Sequence, residues 1–198
     1  MLAAEAREER RRNLIQAAWR CVRRKRFTDL TVDDVCEEAG VSKGSFYSYF
    51  DSKQDLLIGL LEDDAASMEE SIERLSKPGR SGLERLEAFA RAMLKRGEDA
   101  SRVQVLGDLW AAVSSDDMIR QRFSETIRRR RVLLRSWIEE AVAAGEIREL
   151  PPNALAAIVL ALGDALMLHA SLDPAGFQWR NVGSVLILLL EGLRPPKA

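Results

Sequence analysis

Proline placement constrains this chain more than any other feature. The six prolines fall at positions 78, 151, 152, 174, 195 and 196. The long stretches between them are free of the residue that removes an amide donor and breaks helices. Those stretches carry apolar residues at helical spacing. None shows the alternating Val/Ile/Thr pattern of a half-buried strand. The sequence therefore predicts an all-α fold of about nine helices. They run over roughly residues 7–25, 32–38, 43–49, 52–76, 82–99, 102–114, 116–144, 152–172 and 178–193.

The breaks between these segments have local causes. Thr31 is a good N-cap with Asp34 three residues on, a weak capping box. Ala39-Gly40 makes a turn, Ser42 caps the next helix, and Asp51 or Ser52 caps the long one after it. Lys77-Pro78-Gly79-Arg80-Ser81-Gly82 reads as the clearest linker. In the first helix Leu14, Ile15, Ala18, Trp19 and Val22 form the stripe expected to be buried.

Composition narrows the class without naming a function. The chain is 46% hydrophobic and 31% charged, ordinary for a globular protein with its own core. The net charge of −1 makes no case for nucleic acid. Residues 1–53 hold 11 Lys and Arg against 9 Asp and Glu, so any DNA footprint must be local. Cys21 and Cys36 lack metal spacing and read as small buried hydrophobes in a reducing compartment. The N-terminus has no apolar core of a signal peptide. Ala154–Leu172 comes nearest to a membrane span, but Asp164 and His169 interrupt it. The expected location is cytoplasmic, with no membrane partner. One histidine, no Ser-His-Asp set, no metal cluster and no phosphate loop argue against an enzyme, and no cofactor or metal is expected.

Two short helices joined by a tight glycine turn make a helix-turn-helix signature. Gly40 supplies the positive φ of the turn. Val35, Ala39, Val41, Phe46 and Phe50 supply the apolar seam. Lys43, Gly44 and Ser45 lie at the start of the second helix, where such proteins face base edges in the major groove. Lys43 can donate to guanine or to phosphate, and Gly44 lets the backbone approach closely. Thr31, Tyr47, Tyr49 and Lys53 are candidates to hold phosphates, Ser42 at the cap is a further DNA-binding candidate, and Ser52-Lys53 open a helix whose dipole favours an anion.

The stretch Phe27-Thr28-Asp29-Leu30-Thr31-Val32-Asp33-Asp34-Val35, followed by Ala39-Gly40-Val41-Ser42-Lys43-Gly44-Ser45-Phe46-Tyr47-Ser48-Tyr49-Phe50-Asp51-Ser52-Lys53-Gln54-Asp55-Leu56-Leu57, resembles the DNA-binding region of the tetracycline-repressor family. Asn13–Ala18 fits that family's first helix. Phe27 departs from the pattern where glycine is frequent, and Cys36 where alanine is common. The resemblance covers about residues 10–60. It implies a DNA-binding domain over 1–53, a connecting helix over 52–76, and an effector-binding and dimerisation domain over 77–198. It also implies dimerisation through the last two helices and a small-molecule pocket in the middle of the chain.

The residues themselves speak to both points. The segment 154–172 is apolar almost all round, and 185–190 is strongly apolar too. A four-helix interface, two helices from each of two chains, would cover both, with Leu155, Ile158, Leu162, Leu166, Val185, Leu186 and Leu189 as its candidates. Packing inside one chain is the alternative. For the pocket, Phe89, Met93, Leu106, Trp110, Phe123, Ile127 and Trp137 offer apolar surface with Asp108 nearby. They suit an ordinary core equally well. His169 suits a core or interface position, or ligand contact. The run Arg128–Arg131 reads as a solvated face or as an anchor for an anionic effector, with Arg131 the candidate. The expected partners are a double-stranded DNA operator, a second copy of the chain, and a largely apolar effector. An effector-independent, chromosome-organising DNA binder on the same fold is the alternative.

Overall fold

The computed structural model describes residues 2–75 and 79–196, and the side chains of 4–70 and 79–196. Nine helices appear among the described residues: α1 (Leu2–Val22), α2 (Val32–Ala39), α3 (Lys43–Tyr47), α4 (Lys53–Leu75), α5 (Gly82–Gly97), α6 (Ala100–Ser115), α7 (Asp117–Ala143), α8 (Pro152–Leu172) and α9 (Trp179–Glu191). The all-α reading holds. The first two residues of the predicted linker, 77 and 78, lie outside the described residues. Its remainder forms a turn at Gly79, and Ser81 caps α5 in a full capping box with Glu84.

Several helix ends differ from the sequence reading by two or more residues, those of α1 and α3 among them. The helix α1 starts at Leu2 rather than near residue 7, because Ala, Glu and Arg are good helix formers even without an apolar stripe. The helix α3 stops at Tyr47, two residues early. Its chain continues in looser turns, with Tyr49 and Phe50 N–H both donating to the Phe46 carbonyl.

The chain divides into two compact units that do not follow a single cut in the sequence. The first comprises Met1–Ala65 and Gln104–Phe123, the second Ala66–Val103 and Ser124–Ala198. The helices α4, α6 and α7 therefore contribute residues to both. In the first unit the predicted α1 stripe is buried: Leu14, Ile15, Ala18, Trp19 and Val22 join Leu30, Val35, Phe46, Phe50 and Leu56. Cys21 and Cys36 are free thiols in the same interior. Three ion pairs stitch its rim: Asp55 pairs with Arg122, Arg122 lies 3.6 Å from Glu62, and Glu62 lies 3.3 Å from Arg11.

In the second unit α5 packs against α8 and α9. Leu86, Phe89, Ala90 and Met93 of α5 meet Ala156 and Leu160 of α8 and Leu186 and Leu190 of α9, with Leu134, Trp137 and Ile138 of α7 in the same cluster. One sequence expectation is corrected here. The helix α8 spans 21 residues with a mean hydropathy of 1.9, long and apolar enough to cross a membrane by length and composition. Asp164 and His169 are too few to lower that average. Only 28% of its apolar window is buried within this chain, so most of that surface has no cover here.

Candidate nucleic-acid interface

Each element of the helix-turn-helix is fixed by its own caps. Thr31 Oγ1 accepts from Asp34 N–H at 3.2 Å, and Thr31 N–H donates to Asp34 Oδ2 at 2.7 Å. This is a complete capping box, worth about 1 kcal/mol to a short helix. Lys25 Nζ sits 2.5 Å from the same carboxylate and, with Thr31, holds Asp34 well below the usual carboxylate range. The turn closes at Gly40, φ +69°, whose N–H donates to the Cys36 and Glu37 carbonyls, while Val41 N–H donates to Cys36 at 2.9 Å. A side chain at that φ would be strained, so glycine is required by the backbone. Ser42 Oγ then accepts from Ser45 N–H at 3.2 Å and starts α3.

Phe46 anchors α3 into the interior and is fully buried. Its ring meets Tyr47 edge-on at 5.3 Å and Phe50 at 5.6 Å. The remaining face of α3 looks outward. Ser42, Lys43, Gly44 and Tyr47 are exposed, and Ser45 and Tyr49 are half-buried. A Cβ on Gly44 would meet only Ser42 Oγ, at 3.8 Å, and its φ is not in the left-handed region. Nothing inside the protein requires glycine there. Close approach by something outside the chain would.

The other predicted contacts are more committed than the sequence suggested. The Thr31 hydroxyl already donates to Asp34 Oδ2 at 2.6 Å. Lys53 Nζ donates to the Thr28 carbonyl at 2.8 Å and lies 5.1 Å from the Phe27 ring. Burial lowers its pKa, with Asp108 opposing. Phe27, the departure noted in the sequence, is thus a buried platform for this lysine. The α4 N-terminus carries its own anion: Ser52 Oγ accepts from Asp55 N–H at 3.0 Å, and Asp55 Oδ2 accepts from Asp51 N–H at 3.1 Å.

Two residues that the sequence reading passed over border the site. Arg7 Nη2 donates to the Ser48 carbonyl at 3.4 Å, and its guanidinium lies 6.0 Å from the Tyr49 ring. Asn13 Nδ2 donates to the Ala39 carbonyl at 3.3 Å. The signal was present: Arg7, Arg11, Leu14 and Ala18 share one helical face, so the buried stripe extended N-terminally brings Arg7 to the end of α3.

The pocket candidates separate. Leu106, Trp110 and Phe123 lie in the first unit, where Trp110 and Phe123 meet edge-on at 5.6 Å. Phe89, Met93, Ile127, Arg131, Trp137 and His169 lie in the second. Phe89 and Met93 line a wholly apolar cavity of about 30 Å³ between α5, α8 and α9. Trp137 packs on Phe89 at 6.4 Å, Ile127 and Arg131 are half-buried, and His169 is exposed. Of the dimer candidates, Ile158, Val185 and Leu189 are exposed, Leu155, Leu162 and Leu166 are half-buried, and Leu186 is buried in its own chain's core. Leu188, not singled out in the sequence, is exposed as well.

Comparison with known proteins places this arrangement. The model of the bacterial regulatory proteins of the tetR family matches residues 14–60. That of the BetI-type transcriptional repressor C-terminal region matches residues 82–187, more than half of the chain. The chain belongs to the TetR family. It is a DNA-binding transcriptional regulator, not an enzyme. Among curated relatives, the HTH-type transcriptional regulator EthR of Mycolicibacterium smegmatis is 34% identical over 55 residues, 28% of this chain and 25% of that protein. The match therefore spans a quarter of that relative's length. A solved TetR-family regulator from Rhodococcus sp. superposes with a TM-score of 0.80 at 23% identity, over 95% of this chain and 100% of that one. FadR of Bacillus subtilis, solved in complex with stearoyl-CoA, superposes with a TM-score of 0.74 at 21% identity, over 90% and 96% of the two chains.

For this TetR-family chain, a substitution at Gly44 tests whether α3 meets DNA without disturbing the fold. Gly44→Ala is expected to leave the urea midpoint unchanged or raised, since alanine is favoured over glycine in a helix by about 0.5–1 kcal/mol. Its affinity for a duplex selected from a random pool by the wild-type protein is expected to fall about tenfold or more, the scale of one lost base contact. Unchanged affinity would remove Gly44 from the interface.

Proposed function

We propose that this regulator binds a two-fold-symmetric operator as a homodimer, and that it represses until a small-molecule effector releases it. Residues 1–53 would form the DNA-binding domain, 52–76 the connecting helix, and 77–198 the effector-binding and dimerisation domain. In the DNA-binding domain Lys43, Gly44 and Ser45 face the bases. Ser42, Tyr47 and Tyr49 hold phosphates, with Thr31 and Lys53 exchanging their internal bonds for phosphate ones. A dimer sets two such helices one helical turn apart on the same side of the duplex, about 34 Å, which matches successive major grooves.

The observation that carries this reading is the bare apolar surface of α8 and α9. Ile158, Val185, Leu188 and Leu189 are each more than half exposed. Covering them is worth about 1–2 kcal/mol apiece. A second copy covers both helices at once, with Leu155, Leu162 and Leu166 at the margins and Leu186 bracing α9 from within.

Repression is supported by the description of the C-terminal family match. The second unit's residues support one effector class. Its interior is apolar, and α7 carries the cations Arg128–Arg131. Arg130 lies near Asp164, whose pKa burial raises and Arg130 lowers. An effector with an apolar body and an anionic group fits that combination. It must bind the DNA-competent and DNA-free states with different affinity, since equal affinity shifts nothing.

One observation favours the effector-independent reading. The α5–α8–α9 cavity, about 30 Å³, has room for roughly one water, whereas ligand pockets run to about 300 Å³ or more. An effector would have to open this core or use another part of the chain.

Two measurements follow. The double variant Ile158→Glu, Leu189→Glu is expected to sediment as a monomer and to bind the selected duplex at least tenfold more weakly. A variant that remains dimeric contradicts the α8–α9 interface. Stearoyl-CoA titrated into the complex of wild-type protein and selected duplex is expected to release the DNA. If stearoyl-CoA and stearate both leave the complex intact, the acyl effector class is removed.

A further inference from the structure

The ammonium at the start of the reading helix is already engaged. Lys43 Nζ lies 2.8 Å from Asp33 Oδ2 on the first turn of α2, with both side chains largely in solvent. Asp33 keeps Lys43 above the ordinary lysine value, so the ammonium stays charged across any pH used to study DNA binding. Neighbouring cations are held in the same way: Arg20 and Arg24 by Glu38, Lys25 by Asp34, Arg26 by Asp108. This local pairing is how a reading domain with a small positive balance remains nearly neutral in detail.

The Lys43–Asp33 pair does little for the fold, because an exposed ion pair shifts an equilibrium by at most about fivefold. Its consequence lies in what Lys43 can contact. A free ammonium binds any phosphate, which adds affinity without sequence information. An ammonium tied to a carboxylate gains little by exchanging that carboxylate for a phosphate, since one oxyanion replaces another. The carboxylate carried along also repels the backbone. A guanine edge offers O6 and N7 as paired acceptors and carries no oxyanion to repel the Asp33 carboxylate, so there Lys43 can bind while Asp33 stays beside it.

We propose that Asp33 is a specificity-determining residue of the DNA interface: it competes with phosphate for the Lys43 ammonium, so that Lys43 adds affinity at cognate base edges and little elsewhere. This rests on the reading of Lys43 as part of that interface. Asp33 acts through Lys43 and is a positioning residue.

The test compares Asp33→Asn, Asp33→Glu, Lys43→Ala and the double variant Asp33→Asn, Lys43→Ala with the wild-type chain. Each binds the selected duplex and an unselected duplex from the same pool, by fluorescence anisotropy over a salt series, with melting curves to confirm folding. Asp33→Asn is expected to tighten the unselected duplex by up to about fivefold and the selected one by less. It should steepen the unselected salt slope by about 0.9, one additional phosphate neutralised. Asp33→Glu should behave as wild type. In the Lys43→Ala background Asp33→Asn should act clearly more weakly and equally on both duplexes, the residue of lost carboxylate repulsion. The proposal is overturned if Asp33→Asn shifts both duplexes equally or neither, or acts as strongly without Lys43. If Lys43→Ala leaves selected-duplex affinity unchanged, the reading of Lys43 itself fails, a separate and recognisable outcome.

Discussion

The burial of Phe46 is the interaction on which the DNA-binding part depends. A helix of five residues has no stability of its own, since nucleation costs more than one turn of hydrogen bonds returns. The placement of α3 must therefore come from outside it. Phe46 supplies the anchor, and Phe50 extends it toward α4, with the Arg11 guanidinium 5.3 Å from the Phe50 ring. The caps at Ser42 and Gly40 then fix the direction in which α3 leaves the turn. Position and direction together determine which side chains look outward, and those are Lys43, Gly44 and Tyr47.

The same division between what is held and what is offered recurs in the second unit. Leu186 and Leu190 turn α9 into its own core, whereas Val185, Leu188 and Leu189 stay uncovered. One face of the helix completes this chain's own core and the adjoining face stays bare. The helix α8 carries the same imbalance further, and for that reason its composition alone resembles a membrane span. A buried four-helix interface and a lipid-facing helix make the same demand on composition.

Periodic features were legible from sequence because they repeat. The α1 stripe, the cap at Thr31, the turn at Gly40 and the all-α class all follow from spacing and local chemistry, and the structure reproduces them. What could not be read were pairings between residues far apart in the chain. Lys53 turns to the Thr28 carbonyl, Asp55 meets Arg122, and Arg7 reaches Ser48. Each depends on how helices cross, and sequence spacing carries no record of that. The Lys43–Asp33 pair is intermediate: its partners are ten positions apart, but only the geometry of the turn at Gly40 brings them together. The split between Val185 and Leu186 was also unreadable, because both belong to one apolar run and only packing decides which faces inward.

The central claim is that α3 reads DNA from the major groove as one of a symmetric pair. Methylation of guanine N7 blocks the major groove alone, so interference mapping on the selected duplex tests it most directly. The account predicts interference at guanines in two clusters, related by two-fold symmetry and separated by about one helical turn or a multiple of it. Interference confined to a single cluster, or absent at guanine N7 and present only at minor-groove adenine N3, would contradict it.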